Sequence, residues 1–130
     1  MDMSKLKNAA DLAGRVLIAA LFIWDGWGAL QNYGGAADYL NQHGVPAFTL
    51  PFALALQLGG GALIVIGWWT RLAALGLAGF CLSTALIFHT DFADFNEQIH
   101  FWKDLALAGG FLILTSHGAG RWSLDRRSGT

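Results

Sequence analysis

Charged and amide side chains lie inside several apolar stretches of this chain, and they are the residues that could do chemistry. Lys103 and Asp104 stand side by side in HFWKDLALAGGFLIL, which has no further polar residue after them. Asp25 lies in LFIWDGWGAL and Gln57 lies in LALQLGGGAL. Polar side chains in apolar helices persist when they face a partner or a ligand. The pattern therefore predicts a polar cluster between helices.

These polar residues are predicted to lie at a similar depth. Depth can be measured from the end of each segment that lies on the side of the two chain termini. A helical rise of about 1.5 Å per residue puts Asp25, Gln57 and Lys103 roughly 15–21 Å from that end. His89 falls at the outer end of its own segment. We predict that Asp25 pairs with Lys103 and that Gln57 hydrogen-bonds into the pair. Asp104 points about 100° away from Lys103 around the helix, toward outer water or toward His89.

Three roles are open to this polar cluster. It could fix the register of the helices without any ligand, it could line a ligand cavity, or it could form a proton or ion path. Lys103 has a further alternative, because a lysine near a helix end can extend its ammonium to the headgroups.

The residues around the cluster indicate a membrane protein. Of the 130 residues, 55% are hydrophobic and 13% are charged, whereas soluble domains carry about 25% charged residues. Four segments approach the ~20 residues of a spanning helix, namely residues 11–30, 47–68, 70–88 and 99–115. We predict one all-α integral membrane domain over residues 1–130, an antiparallel bundle of four transmembrane helices. Ala36, Tyr39 and Leu40 predict a short interfacial helix in the first outer loop.

The basic residues predict an orientation in the membrane. Seven of the eight Lys and Arg residues fall on the side that both termini share, and the other side has only Lys103. Cytoplasmic loops carry the excess of basic residues, so both termini are predicted to be cytoplasmic. The first helix is predicted to be retained and not cleaved as a signal peptide, because no small-x-small site follows it. The seven are Lys5, Lys7, Arg15, Arg71, Arg121, Arg126 and Arg127.

Several kinds of site are excluded or disfavoured. The single cysteine, Cys81, excludes an intramolecular disulfide and a Cys-x-x-Cys redox site. A net charge of −1 gives no indication of nucleic-acid binding, and no nucleophile triad, phosphate loop or nucleotide fingerprint is present. We predict no metal site, because di-metal bundles need a second Glu-x-x-His and Glu97 is the only glutamate. The potential ligands in that stretch are His89, Asp91, Asp94, Glu97 and His100.

Three stretches resemble the DoxX family: LFIWDGWGALQN with its HGVP loop, LQLGGGALIVIGWWTRLAAL, and HFWKDLALAGGFLIL with the ending SLDRR. The resemblance runs from about Arg15 to Arg127. It implies a four-helix bacterial inner-membrane protein, in a family linked to quinone-related oxidation and to oxidative stress. Two departures stand out, because Gln57 replaces the family's usual acidic residue and Asp104 replaces an Asn.

The cluster and the resemblance together suggest a binder, or an accessory subunit, for a quinone-like or other flat apolar molecule. Lys103 would donate to a carbonyl oxygen, and His89 would exchange a proton with the outer side. No covalent cofactor is predicted; a quinone is the candidate ligand. The predicted ligand-binding residues are Asp25, Gln57, His89, Lys103 and Asp104, with Trp24, Trp27, Phe101 and Trp102 around the ring.

Catalysis is left open by the sequence, because the chain encodes no redox centre and electrons would have to come from elsewhere. The expected partners are the lipid bilayer, a membrane or periplasmic oxidoreductase, and a second copy of the chain. The alternative function is a non-catalytic membrane scaffold or assembly partner, in which the polar cluster only holds the helices together.

Overall fold

The computed structural model describes residues 2–128, with side chains through residue 126, and no strand occurs within that range. Arg127, one of the predicted cytoplasmic basic residues, therefore has its side chain outside the described part. A 3-10 turn at Ala47–Thr49 and a π-helical turn at Ala55–Gly59 make residues 47–66 one helical stretch. The α-helices are α1 (Met3–Gln31), α2 (Tyr33–Gln42), α3 (Leu50–Leu54), α4 (Gly60–Ile66), α5 (Thr70–Phe88), α6 (Phe95–His117) and α7 (Leu124–Ser128).

Helix α1 begins well before the apolar segment that predicted it. Asp2 caps its first turn, where the side chain accepts a hydrogen bond from the Lys5 backbone N–H at 2.8 Å. Lys7 and Asp11 then pair one turn apart at 2.8 Å. These local contacts support two helical turns that lie outside the apolar run, so hydropathy alone placed the start too late.

Neighbouring long helices run antiparallel. Thr84 contacts Asp104 near one end of α5 and α6, and Arg71 contacts His117 near the other end. Asp25 contacts Gln57 in the same way, while Arg15 contacts the end of α4. Short connections account for this arrangement between the 47–66 stretch and α5 and between α5 and α6, whereas α2 lies in the connection between α1 and the 47–66 stretch.

The core is built from small side chains and a few large ones. Phe111 is fully buried and stacks edge-to-face on Phe22, with ring centroids 5.3 Å apart. Gly61 and Gly110 let helices approach closely, since a Cβ on Gly110 would lie 2.9 Å from the Ile18 side chain. Close approach at glycine is common where helices pack in membranes.

The turn between α4 and α5 has an unusual backbone. Gly67 (φ 74) and Trp69 (φ 53) both adopt left-handed conformations. Asp125 holds this turn, because its carboxylate accepts from the backbone N–H groups of Trp69 at 2.8 Å and Thr70 at 3.0 Å. The C-terminal segment is therefore tied to the start of α5.

By length and composition, two helical stretches among the described residues could cross a bilayer, Ala47–Ile66 and α5. Helices α1 and α6 carry more charged residues than these two, including Asp25, Lys103 and Asp104. They nevertheless expose large apolar side chains such as Leu17 and Ile113 on their outer faces.

Candidate functional site

A cavity of about 550 Å³ lies where α1, α2, the 47–66 stretch, α5 and α6 meet. Its size is typical of small-molecule sites, which measure about 300–1,000 Å³. Most of its wall is aliphatic or aromatic, and the cavity is partly open. The titratable and amide residues that line it are Asp25, Tyr39, Gln57, His89, His100, Lys103 and Asp104.

Asp25 and Gln57 form the first polar pair of the cavity. The Gln57 Nε2 group donates to Asp25 Oδ2 at 2.8 Å. Gln57 is 6% exposed and occupies the middle of the π-helical turn. Gly26 makes the contact possible, because a Cβ there would come within 3.0 Å of Leu58 and 3.3 Å of the Gln57 side chain. Such π turns are frequent at functional sites.

Asp104 belongs to a second polar group that leads away from the cavity. Its Oδ2 accepts from the Thr84 hydroxyl at 2.9 Å and lies 3.7 Å from His89 Nε2. The other ring nitrogen of His89 lies 3.1 Å from Glu97 Oε2. An imidazole thus stands between a carboxylate at the cavity and a carboxylate at the start of α6. His100 stacks on the same ring, with centroids 5.2 Å apart.

Lys103 lines the cavity without a partner. Among the described residues its ammonium makes no hydrogen bond and no ion pair within 4.0 Å, so the predicted Asp25–Lys103 pair is wrong. The π-helical turn brings the Gln57 amide to Asp25 instead, and Asp104 is held by Thr84 and His89. The polar residues converge as the depth argument expected. Gln57 bonds to Asp25, and Asp104 lies toward His89, one of the two directions predicted for it.

The aromatic residues expected around a ligand lie elsewhere, which corrects that part of the prediction. Trp24, Trp27 and Trp102 are exposed, with Trp24 77% accessible. Phe101 packs edge-to-face against Phe92 and Trp102. All four lie outside the cavity lining, because their positions on α1 and α6 face away from the other helices. The rings that do line the cavity are Phe22, Tyr39, Phe80 and Phe88.

Helix α2 covers part of the cavity. Its Tyr39 stacks on Phe88 at the end of α5, with centroids 5.2 Å apart and an interplanar angle of 22°. His43 packs against both of these rings. Burial raises the pKa of the Tyr39 phenol above its usual range, and the Glu97 carboxylate adds to the rise. The phenol therefore stays neutral and can donate a hydrogen bond.

The arrangement suits a neutral molecule with a flat apolar body and one or more oxygen acceptors. Two carboxylates and one ammonium line the cavity, and both carboxylates already have partners within the protein. The Lys103 ammonium and the Tyr39 phenol are donors that could bind an oxygen of a ligand. In the part of the chain that the structure describes, no three His, Cys, Asp or Glu side chains are arranged to hold a metal ion.

Comparison with known proteins gives three results. The family model DoxX matches residues 10–90. Inner membrane protein YqjF of Escherichia coli is 44% identical over 124 residues, which are 95% of each chain. Inner membrane protein YphA of the same organism is 33% identical over 133 residues, covering 97% of this chain and 95% of that protein. No solved structure matches the chain.

Proposed function

The chain belongs to the DoxX family of membrane proteins, and from this premise we propose that it is a multi-pass protein of the bacterial inner membrane that binds a quinone-like molecule. The observation that carries the proposal is the cavity, whose largely apolar and aromatic lining includes Lys103, an exposed residue with no internal partner among the described residues. The chain would act as an accessory subunit or a binding protein in membrane redox or stress metabolism.

Four membrane spans are the first part of the proposal. Helices α1 and α6 would join the two clearly apolar stretches, and α2 would lie in the outer interface. The support is the set of exposed apolar residues, since soluble monomers rarely expose large contiguous apolar patches. Two E. coli relatives that cover nearly the whole chain are named inner membrane proteins.

Both termini are proposed to face the cytoplasm, and cysteine labelling tests this orientation. Cys81 is buried and can be replaced by alanine, after which Ser4→Cys and Asp91→Cys each supply one exposed thiol. A membrane-impermeant maleimide applied to intact spheroplasts is expected to label the cysteine at 91 and to spare the one at 4. Lysis should make both react equally. Labelling at 4 and protection at 91 would overturn the orientation.

Lys103 would bind an oxygen of the ligand. A charged donor without an internal partner has hydrogen bonds to offer, and the neighbouring Asp25 is already engaged by Gln57. The apolar wall would contact the ring, with Phe22 and Phe80 packed edge-to-face at 6.3 Å beneath it. Asp104, His89 and Glu97 would then let a proton move between the cavity and the outer loop, since His89 can bind at one nitrogen and release at the other.

Replacing Lys103 with methionine is expected to weaken the binding of a short-tailed benzoquinone about tenfold or more, because a hydrogen bond to a charged group contributes about 1.5–3 kcal/mol. Methionine keeps most of the side-chain length and removes the donor. Binding can be followed by quenching of tryptophan fluorescence in detergent, with lipid extraction and mass spectrometry to detect a co-purified quinone.

Lys7→Met is the matched control, because Lys7 lies near the start of α1 and does not line the cavity. Its side chain is 72% exposed and, among the described residues, pairs only with Asp11. It should bind the benzoquinone as the unmodified chain does. If the unmodified chain binds none, and none co-purifies, the ligand proposal fails while the membrane topology stands. If Lys103→Met binds normally, the ammonium has no part in recognition.

A second function is favoured by the pairing within the polar cluster. Asp25 and Asp104 are both hydrogen-bonded by neighbouring side chains, as they would be if the cluster only fixed helix packing. In that case the chain is a scaffold or assembly partner for another membrane protein. The two functions differ at Lys103, because a binder needs its ammonium to contact a ligand in the cavity, whereas in a scaffold the ammonium of this exposed residue would extend to the headgroups.

A redox role would need a partner. The chain supplies no Cys-x-x-Cys pair, so electrons would come from a membrane or periplasmic oxidoreductase that shares the bound quinone. A second copy of the chain is a further partner to consider, since the exposed apolar surface would have to be covered by lipid or by protein.

A further inference from the structure

A second cavity, of about 560 Å³, lies at the opposite end of the molecule from Lys103. It is formed by the start of α5, the linker after α6, and α7. Arg71 and Arg126 bring two guanidinium groups to it from different elements, and exposed Trp69 and Leu72 flank it. Its position coincides with the end that carries most of the basic residues.

Neither guanidinium is fully engaged by the protein. Arg71 Nη2 donates to the His117 carbonyl at 3.4 Å, a long contact, and Arg126 makes no side-chain hydrogen bond or ion pair with the described residues. The Arg71 side chain lies over Gly118 (φ 80), where a Cβ would come within 3.1 Å of Nε. Arg71 therefore packs closely on Gly118, and a side chain at this position would have to displace the guanidinium by a few tenths of an ångström.

A buried hydroxyl provides an independent observation. Thr70 lines this cavity and is 0% exposed, and its Oγ1 has no hydrogen-bond partner in the structure. Buried hydroxyls without a partner are uncommon in folded proteins. The N-terminus of α5 does not itself supply the site, because Asp125 already accepts from the backbone N–H groups of Trp69 and Thr70.

The charges favour one phosphate group. The cavity lining contains the two guanidinium groups of Arg71 and Arg126 and one carboxylate, that of Asp125, so these three groups carry one net positive charge. Guanidinium groups recognise phosphate with paired, charge-assisted hydrogen bonds. Basic pockets at the cytoplasmic ends of membrane helices are suited to anionic headgroups, and exposed tryptophans such as Trp68 and Trp122 are typical of the headgroup level.

We propose that this second cavity binds the phosphate of an anionic phospholipid through Arg71 and Arg126. The headgroup would lie between α5 and α7, and an acyl chain would lie along exposed Leu72. Bound lipid would then join α5 to the C-terminal segment, in addition to the Asp125 contacts. Which leaflet supplies the lipid rests on the proposed cytoplasmic location of both termini, but lipid binding itself does not.

Native mass spectrometry of the detergent-purified chain tests the site. With phosphatidylglycerol added, the unmodified chain is expected to keep one lipid that phosphatidylcholine does not replace. Arg71→Gln and Arg126→Gln should each reduce retention roughly tenfold, the usual effect of losing one charge-assisted hydrogen bond. Arg71→Lys keeps the charge and should retain part of the affinity.

Arg121→Gln is the matched control, because Arg121 is an exposed arginine at the same end that does not line the cavity. It should retain lipid as the unmodified chain does. Equal loss in all three glutamine variants, or retention unchanged in Arg71→Gln and Arg126→Gln, would overturn the site. Arg126→Gln covers the case in which Arg71→Gln fails to fold, since Arg126 is exposed and its side chain makes no hydrogen bond or ion pair with the described residues.

A thermal-shift arm with inorganic phosphate distinguishes the two sources of the phosphate. If phosphate alone raises the melting temperature, and if that rise is lost in Arg71→Gln but kept in Arg121→Gln, the occupant is free phosphate and not lipid. If only phosphatidylglycerol has this effect, the occupant is lipid. Failure of benzoquinone binding, or a reversed orientation, would leave both outcomes unchanged, because neither measurement involves the first cavity.

Discussion

Replacing Arg15 with methionine is expected to destabilise the fold by about 3–5 kcal/mol, because three carbonyl oxygens would lose a charged donor and the cost of each such loss is about 1–3 kcal/mol. Arg15 is 2% exposed, and its guanidinium donates to the carbonyls of Ile64 and Val65 at 3.1 Å and of Trp122 at 2.5 Å. Methionine fills the space of the stem but donates nothing. Three carbonyls would lose their donor at once.

Unfolding in detergent, followed by loss of helical circular dichroism on heating, measures this effect. Arg121→Met is the control, because Arg121 is exposed and has no hydrogen bond or ion pair with the described residues. Its stability should change by no more than about 0.5 kcal/mol. Arg15→Lys should fall between the two, since one ammonium cannot reproduce the fork of a guanidinium. Equal melting temperatures for Arg15→Met and Arg121→Met would show that these hydrogen bonds contribute nothing.

Arg15 also shows which parts of the fold the sequence could predict. Its position at the start of an apolar run correctly placed it in the first helix, because that inference needs only local composition, although α1 begins earlier, at Met3. Its burial depends on groups 49 and 107 positions away along the chain. No local pattern specifies such contacts, so the sequence placed Arg15 among the basic residues of one side without indicating that it is buried.

The helices themselves were predicted well wherever hydropathy sets their ends. Helix α5 covers residues 70–88, as expected, because Gly67 and the two tryptophans interrupt the apolar run before it and HTDF ends it. Helix α1 was predicted to start too late, because capping by Asp2 and the Lys7–Asp11 pair extend it through polar residues.

In the first cavity, the sequence predicted the depth of the polar residues and the Gln57–Asp25 contact, but it wrongly paired Asp25 with Lys103. Asp25, Gln57 and Lys103 do line one cavity, as the helical rise implies. Which of them pair depends on how each helix is rotated about its axis. The π-helical turn at Ala55–Gly59 inserts an extra residue in one turn and changes that rotation. No pattern in the sequence predicts this turn.

The aromatic residues of the cavity were missed for a related reason. Trp24 and Trp102 are adjacent in sequence to Asp25 and Lys103, but successive residues point about 100° apart on a helix. The rings that line the cavity come from further away, such as Phe80 on α5 and Tyr39 on α2. The stack of Tyr39 on Phe88 could have been suspected only from the aromatic and apolar residues that share one face of α2.

Replacing Gly67 with alanine is expected to cost about 2–5 kcal/mol, the sum of a left-handed backbone penalty and of overpacking. Gly67 has φ 74, and a Cβ there would collide with the Arg15 guanidinium and the Ser123 side chain and lie 3.1 Å from the Ser123 Cα. The guanidinium can move, but the Ser123 backbone is tied to the turn, since Asp125 N donates to Gly67 O at 2.8 Å. Thermal unfolding measures the loss.

Two glycines separate the causes of this loss. Gly44 has φ 76, and a Cβ there would have no neighbouring atom within 4 Å. Gly44→Ala should therefore show only the cost of a left-handed backbone at alanine, about 1 kcal/mol. Gly79 is helical with equally open surroundings, and Gly79→Ala should be neutral or slightly stabilising. In the Arg15→Met background the cost of Gly67→Ala should fall but not vanish, because one of the two collisions is removed. A Gly67→Ala cost no larger than that of Gly44→Ala would mean that the α4–α5 turn accommodates a side chain, and that Arg15 and Ser123 do not pack against it as closely as the structure indicates.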